Sequence, residues 1–357
     1  MKNTVIGGGN IGTLMAAEMA AKGHEVTVYT SKPERWNKEI DVYDPQDHKL
    51  LTGSISKITS DMQEALSEAE IIWITMPSQV FAELGKKMLP YVRSGQYIGV
   101  VPGSGGAEFA FRHLIDKGCV LFGLQRVHSI ARLKEYGKSV YMLGRKSKLE
   151  IGAIPADASV KVKPVLESMF DMPCTSLPNY LSVTLTPSNP ILHTTRLYSM
   201  FQDYKEGVVY PRNFLFYEEW DMDSAEWLIA CDAELQALCD VIPMELKAVK
   251  SLRKYYESYN AEAMMQKLKS IDAFKGLTSP MKQVEGGWIP DLDSRYFVAD
   301  FPYGLKIIKD IAKLFEVPTP HIDIVWAWFE RIVDKNGVGI FELNMPKEEF
   351  VRLYSAE

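Results

Sequence analysis

The sequence has few cysteines and no long hydrophobic run, and each absence excludes a class of protein. No apolar stretch reaches the roughly 18 residues that a membrane-spanning helix requires, and the N-terminus enters a predicted strand at once, without the pattern of a signal peptide. The four cysteines, Cys119, Cys174, Cys231 and Cys239, form neither a C-x-x-C pair nor a Cys/His cluster at zinc spacing. We therefore expect a cytoplasmic protein with reduced thiols, no bound metal and no membrane partner.

An excess of positive charge is also missing. The net charge is -6 and the sequence pI is about 5.7, so there is no basic surface of the kind that binds nucleic acid or anionic lipid. Apolar residues at 46% and charged residues at 24% are ordinary for a globular protein. Because the 357 residues exceed what one core usually supports, we expect two domains.

A glycine-rich stretch near the N-terminus carries the first motif. Gly7, Gly9 and Gly12 fit G-x-G-x-x-G, between a short apolar strand and an Ala-rich predicted helix. In a dinucleotide site the first glycine makes the turn, the second lets the backbone approach a pyrophosphate, and the third lets helix and strand pack closely. A second strand follows at the spacing of a βαβ unit, which favours a dinucleotide site, with Asn10 and Ile11 at the helix start, over a plain structural turn.

The residues after the second predicted strand bear on the choice of cofactor. An acid at this strand end binds the adenosine ribose and selects NAD, whereas small hydroxyl and basic side chains accommodate a 2′-phosphate. Thr30 and Ser31 occupy the strand end, and Lys32 and Arg35 follow. The pattern favours NADP(H). NAD(H) remains the alternative, because any solvated loop also carries Lys and Arg.

Strands and helices alternate through the first half of the chain, which predicts an α/β Rossmann domain, a doubly wound parallel sheet, over residues 1–180. A buried strand ends at Met76 and Pro77, and we expect both to border the cofactor because the carboxyl ends of parallel strands line the ligand crevice. Later strands are predicted at 139–143 and 159–162.

Long helical patterns dominate from about residue 181, which predicts an all-α C-terminal substrate and catalytic domain over residues 181–357. Helices are expected at 225–241, 243–259, 303–315 and 321–333. An active site is expected in the cleft between the two domains, where ligand pockets are favoured. Trp326 and Trp328 suit buried core better than a helix interface, so a homodimer is left open.

Two segments of the second half contain candidate catalytic residues. Asn189 or Ser188 suits a helix cap, which would place His193 in the first helical turn. Arg295 precedes Asp300 by five residues, just before another predicted helix. Taken alone, each is more often structural: a buried histidine, a surface arginine and a helix-capping aspartate. The functional alternative gives Arg295 a bidentate grip on a carboxylate and lets Asp300 orient His193.

Together, three stretches resemble the octopine/nopaline (opine) dehydrogenase family: G-G-G-N-I-G at 7–12, N-P-I-L-H at 189–193, and R-Y-F-V-A-D-F-P-Y-G-L at 295–305. The resemblance implies a Rossmann domain joined to a helical opine dehydrogenase domain, His193 and Asp300 as an acid/base pair, and Arg295 as the clamp for an oxo acid. It further implies an NAD(P)-dependent oxidoreductase acting on CH-NH donors. Its small-molecule substrates would be a 2-oxo acid, such as pyruvate, and the amino group of an amino acid, joined by reductive condensation.

Two other functions fit parts of the sequence. A ketopantoate or 2-hydroxy acid-type reductase also combines a Rossmann domain with a helical domain, but such enzymes often use a lysine for proton transfer. A non-catalytic NAD(P)-binding sensor needs the glycine loop but not the histidine, arginine and aspartate. The combination of all these residues favours the opine dehydrogenase over both alternatives.

Overall fold

The computed structural model describes residues 1–333 and 338–355, and its contacts divide the chain into two compact units. Unit 1 is Met1–Thr184 together with the residues from Arg352 on, and unit 2 is Leu185–Val351. The predicted boundary between residues 180 and 181 lies four residues before the observed division. The last residues of the chain, predicted within the second domain, group with unit 1.

Unit 1 contains twelve strands among its described residues. They are β1 (Lys2–Ile6), β2 (Glu25–Tyr29), β3 (Glu39–Tyr43), β4 (Lys49–Ser54), β5 (Lys57–Thr59), β6 (Ile71–Ile74), β7 (Tyr97–Val100), β8 (Val120–Leu124), β9 (Ser129–Glu135), β10 (Ser139–Arg145), β11 (Leu149–Ile154) and β12 (Cys174–Ser176). Its helices are α1 (Asn10–Ala21), α2 (Met62–Leu66), α3 (Phe81–Met88), α4 (Ala107–Ala110), α5 (Arg112–Asp116), α6 (Ala158–Phe170) and α7 (Leu181–Thr184).

The main sheet has the strand order β12-β11-β8-β7-β6-β1-β2-β5, and its central strands run parallel. The order reverses at β1, which is the point where doubly wound sheets bind ligands. This topology confirms the predicted Rossmann sheet. β11 runs antiparallel to β8. The strand predicted at 159–162 is wrong, because those residues belong to α6, whose buried Ser159, Val162 and Leu166 recur at helical spacing.

A second sheet, with the order β4-β3-β10-β9, was not predicted from the sequence. It covers the side of α1 that faces away from the main sheet, so α1 is buried from Gly12 to Met19. Gly53 of β4 allows this packing, because a Cβ there would lie 2.3 Å from the carbonyl oxygen of Ala17. Because the two sheets cover α1 from both sides, the helix is rich in alanine and lacks a polar face.

Unit 2 is mainly helical, which confirms the predicted helical character of the second domain. Its regular elements are α8 (Thr194–Phe201), α9 (Met222–Val241), α10 (Leu252–Tyr255), α11 (Ala261–Ser270), β13 (Met281–Val284), β14 (Gly287–Pro290), α12 (Lys306–Leu314) and α13 (Pro320–Ile332). The last helix, α14 (Lys347–Tyr354), runs across the division into unit 1. The sequence did not predict the β13–β14 hairpin. The helix predicted at 243–259 is wrong, because only Leu252–Tyr255 is helical there.

Two π-helical segments carry the candidate catalytic residues of unit 2. Ser188–His193 leads into α8, and Tyr296–Leu305 leads into α12. A Cβ on Gly304 would meet the Pro190 side chain at 3.2 Å, so the glycine allows the two segments to approach closely. Wide π turns re-aim side chains and recur at functional sites.

Candidate active site

The glycine loop of unit 1 has the backbone geometry that a dinucleotide pyrophosphate needs. Gly7 has a φ of +118°, which favours glycine and turns the chain out of β1. Gly9 is the N-cap residue of α1 and makes no side-chain capping hydrogen bond. A Cβ added at Gly9 would lie in open space. Gly12 lies so close to the turn that a Cβ would be 1.9 Å from the Gly7 carbonyl oxygen. The exposed amides at the start of α1 therefore fit an anion.

The end of β2 contains a hydroxyl pair that the sequence did not reveal. The Oγ1 atom of Thr30 lies 2.9 Å from the phenol oxygen of Tyr136, which comes from the turn between β9 and β10. The Arg35 guanidinium covers the Tyr136 ring at 4.9 Å from its centroid. A Cβ on Gly8 would lie 3.1 Å from the Tyr136 hydroxyl, so this group borders the glycine loop directly.

The other predicted cofactor residues lie around the same loop in unit 1. Asn10 accepts a hydrogen bond from the Leu133 amide with its Oδ1 at 2.8 Å, so its side chain fixes β9 to the start of α1. Ile11 is half-buried against the core, whereas Ser31 and Lys32 are exposed. The Met76 sulfur lies 3.1 Å from where a Gly7 Cβ would be, and Pro77 follows it before a short helical turn.

The structure brings His193 and Asp300 together in unit 2, although 107 residues separate them in sequence. The His193 Nδ1 lies 2.8 Å from the Asp300 Oδ2, and both side chains are buried. A carboxylate only accepts hydrogen bonds, so this contact places the imidazole proton on Nδ1 and leaves Nε2 available. His193 is the sixth residue of its helical segment, which corrects the prediction of the first turn: the segment begins at Ser188, directly after Pro187.

Arg295 is exposed and is connected to this pair through Tyr296. Its guanidinium is 5.5 Å from the centroid of the Tyr296 ring, and that ring lies 4.7 Å from the His193 imidazole. Among residues 1–333 and 338–355, no carboxylate forms an ion pair with Arg295. A guanidinium beside a buried histidine and without an acidic partner can receive a carboxylate from solution.

Sequence reasoning missed Tyr217, whose hydroxyl lies 3.2 Å from the His193 Nε2. Burial raises the pKa of Tyr217 well above its usual value of 10, so the phenol keeps its proton. The only sequence signal was the aromatic run from Phe214 to Trp220, which is more often core than site.

Two family models match the chain. Residues 176–333 match the alpha-helical domain of NAD/NADP octopine/nopaline dehydrogenase. Residues 2–105 match the N-terminal domain of NAD-dependent glycerol-3-phosphate dehydrogenase.

Curated relatives match nearly the whole chain. The octopine dehydrogenase of Mizuhopecten yessoensis is 28% identical over 94% of this chain and 90% of its own length. The tauropine dehydrogenase of Arabella iricolor is 26% identical over 93% of this chain and 91% of its own. A solved octopine dehydrogenase with NADH and L-arginine superposes with a TM-score of 0.81 at 26% identity, covering 93% of this chain and 89% of that one.

The matched helical domain and the relatives that span nearly the whole chain confirm the resemblance to the octopine/nopaline dehydrogenase family. The chain is an NAD(P)-dependent oxidoreductase that acts on CH-NH donors. Its reaction type by homology is reductive condensation. A 2-dehydropantoate 2-reductase from Geobacter metallireducens superposes with a TM-score of 0.66 at 9% identity, which shows a shared fold alone.

The described residues contain neither a candidate membrane helix nor a candidate metal cluster. No helix within 1–333 or 338–355 combines the length and apolar content needed to cross a membrane. Over the same residues, no three His, Cys, Asp or Glu side chains gather where they could hold a metal ion. Of the four cysteines, all free, three are buried and Cys239 is half-buried.

Proposed function

We propose that this protein condenses a 2-oxo acid, such as pyruvate, with the amino group of an amino acid and reduces the product to a secondary amine. The observation that carries the proposal is the buried hydrogen bond between His193 Nδ1 and Asp300 Oδ2. It leaves one imidazole nitrogen for proton transfer at a site with an arginine beside it. The octopine dehydrogenases solved with pyruvate and with L-arginine support the two substrate classes.

Each residue of the site has a separate task in this proposal. Arg295 holds the oxo-acid carboxylate by two parallel hydrogen bonds, which fixes the orientation of the carbonyl group. His193 gives and takes the proton as the carbonyl becomes an amine, and Asp300 stabilises the imidazolium. A reduced nicotinamide supplies the hydride when it is bound.

Replacing His193 tests the proposal. We expect His193→Ala to lower kcat by about 10²- to 10⁴-fold, the usual contribution of a general acid or base. Binding of the reduced cofactor, measured by its fluorescence, should stay near normal because the glycine loop is in unit 1. His321→Ala is the matched control, since His321 pairs with Glu234 at 2.7 Å in the same unit, apart from the site. A His193→Ala enzyme within a few-fold of wild-type turnover would contradict the assignment.

For the cofactor we infer a preference for NADP(H), with NAD(H) as the alternative. Thr30 carries no charge and already pairs with Tyr136, so no acid at the end of β2 would repel a 2′-phosphate. Lys32 and Arg35 are exposed beside it, and Arg35 is held over the Tyr136 ring. Such a guanidinium suits a phosphate. The octopine dehydrogenase structures contain NADH, which supports the alternative.

Fluorescence titration of both reduced cofactors decides between them. We expect tighter binding of NADPH, and Arg35→Gln should weaken NADPH binding by roughly tenfold while leaving NADH unchanged, because only NADPH has the extra phosphate. Lys49→Gln is a control for net charge, since Lys49 pairs with Asp41 on the second sheet. Tighter binding of NADH than of NADPH would show that NAD(H) is the preferred cofactor. An equal effect of Arg35→Gln on both cofactors would remove its role in selection.

A further inference from the structure

The one partner of the His193 Nε2 is a tyrosine hydroxyl, as far as the described residues show. The Tyr217 oxygen lies 3.2 Å from that nitrogen, within reach for proton transfer, on the side opposite Asp300. His193 is 7% exposed and Tyr217 6% exposed, so a reacting atom that approached Nε2 directly would have to take the place of this hydroxyl.

The Tyr217 ring is held against such a displacement. It stacks on Phe274, with ring centroids 4.0 Å apart and planes within 17°, and it lies nearly parallel to Trp220 at 6.0 Å. Phe216 meets it edge-on at 5.0 Å. Moving the hydroxyl away from His193 would disturb these three aromatic contacts, which favour the observed position of the ring.

The same hydroxyl faces the charge that we assign to substrate binding. Burial and the neighbouring Tyr296, Tyr256 and Asp300 raise the pKa of Tyr217, whereas the positive charge of Arg295 opposes the rise. Arg295 therefore acts on the phenol electrostatically. In a 2-oxo acid the reacting carbonyl adjoins the carboxylate, so binding of the carboxylate by Arg295 keeps the reacting oxygen close to the charge that acts on this phenol.

We propose that Tyr217 is a further catalytic residue, which passes the proton between His193 and the reacting oxygen in a chain that runs Asp300, His193, Tyr217. This inference rests on the proposed function of the site. A hydroxyl suits the task because it donates and accepts at once, so it can give its proton to the substrate while it receives one from Nε2.

The proton balance of the reaction closes through this chain. The amino acid arrives as an ammonium ion and loses a proton through Tyr217 to His193 Nε2. Its nitrogen lone pair then forms the C–N bond to the carbonyl carbon, while the C=O π pair moves to the oxygen. A proton of the attacking nitrogen moves to this oxygen, which gives the neutral carbinolamine. In the carbinolamine, the nitrogen lone pair forms C=N as the C–O bond breaks. The leaving hydroxyl takes the Tyr217 proton and departs as water, and Tyr217 regains a proton from Nε2, which returns His193 to its neutral form.

Tyr217→Phe tests the chain because it keeps the ring and its stacking and removes only the hydroxyl. We expect kcat to fall by about 10²- to 10⁴-fold, as for loss of a general acid, with reduced-cofactor binding and thermal unfolding unchanged. Tyr198→Phe is the control, since Tyr198 is a buried tyrosine of unit 2 that packs on Trp227 and Trp328, apart from His193. A Tyr217→Phe enzyme within threefold of wild-type kcat would overturn the inference.

Solvent deuterium supplies a readout that a merely structural role would not change. If two protons move in the same step, a plot of the wild-type rate against the deuterium fraction of the solvent should be curved. A linear plot would overturn the proton chain. The proposed function is tested separately by His193→Ala. Loss of activity in His193→Ala but not in Tyr217→Phe refutes the chain alone, whereas survival of both variants refutes the acid/base assignment itself.

Discussion

At the residue scale, the site depends on which side chains donate hydrogen bonds and which accept them. Asp300 accepts from His193 Nδ1, which directs the remaining nitrogen towards Tyr217. The rings of Tyr296 and Phe216 pack against the imidazole, at 4.7 and 5.7 Å from its centroid, and against each other at 5.3 Å. The imidazole is therefore fixed on several sides, which reduces the reorganisation that proton transfer requires.

Arg295 gives the residue-scale prediction. We expect Arg295→Lys to raise the KM for the 2-oxo acid by about tenfold or more, because an ammonium keeps the charge but loses the bidentate geometry of the guanidinium. Steady-state kinetics with varied oxo acid and saturating amino acid measure it. Arg212→Lys is the control: Arg212 makes a bidentate contact with Glu219 on the surface of the same unit. An unchanged KM in Arg295→Lys would remove the clamp role.

At the element scale, the loop from β1 to α1 contains glycines that serve two different purposes. Gly12 is required by packing, since its Cβ would lie 1.9 Å from a backbone oxygen and 2.5 Å from the Thr75 Oγ1. Gly9 meets no protein atom within 4 Å and has an ordinary φ of -83°. The fold therefore does not require a glycine at position 9, and we propose that the reason for one there is a ligand that approaches the backbone.

Alanine substitutions at these two glycines test the distinction. Gly9→Ala should fold with an unchanged unfolding temperature but lose at least tenfold in reduced-cofactor affinity, because the methyl group occupies the space of the pyrophosphate. Gly12→Ala should lose both stability and affinity, because the backbone must move to relieve the clash. Thermal unfolding and fluorescence titration measure the two effects. Normal cofactor affinity in Gly9→Ala would show that no ligand passes close to that residue.

At the scale of the whole molecule, one buried carboxyl connects distant parts of unit 1. Glu108 of α4 accepts hydrogen bonds from the hydroxyls of Thr184, the last residue before the division into unit 2, and of Tyr354, near the end of α14. Burial raises the pKa of Glu108 to about 7 despite these two hydrogen bonds, which lower it. Burial raises the pKa values of Tyr180 and Tyr354 well above 10, and the neighbouring Glu108 carboxyl adds to both shifts.

This carboxyl predicts a pH-dependent stability. The folded protein holds a proton on Glu108 up to about pH 7, whereas an unperturbed glutamate has a pKa of 4.5. Its contribution to stability is therefore fully present below pH 4.5 and is lost as the pH rises to about 7. Relative to wild type, Glu108→Gln should be stabilised at pH 8.5 by up to roughly 3 kcal/mol, with little gain near pH 5.

Denaturant unfolding of wild type and Glu108→Gln at the two pH values measures this effect. Glu83→Gln is the control, because Glu83 pairs with Lys86 on the surface of unit 1 and should show no comparable pH-dependent gain. A Glu108→Gln difference that stays constant between the two pH values would show that Glu108 titrates normally in the folded protein.

Local patterns in the sequence determined the parts of this protein that depend on neighbours in the chain. The strand-turn-helix pattern and the spacing of Gly7, Gly9 and Gly12 predicted the Rossmann sheet and its loop, because backbone geometry is set within a few residues. The motifs around His193 and Asp300 indicated the family. The helix predicted at 243–259 was wrong because the tertiary contacts of the folded unit outweighed the local preference of the sequence for helix.

The tertiary structure alone decided which distant side chains meet. Tyr136 reaches Thr30 across 106 residues, His193 reaches Asp300 across 107, and Tyr354 reaches Glu108 across 246. Tyr217 lies only 24 residues from His193, yet its position depends on stacking with Phe274 and Trp220. Such contacts follow from the packing of whole elements, which no local spacing encodes, and for this reason the sequence predicted the family but not the third member of the proposed proton chain.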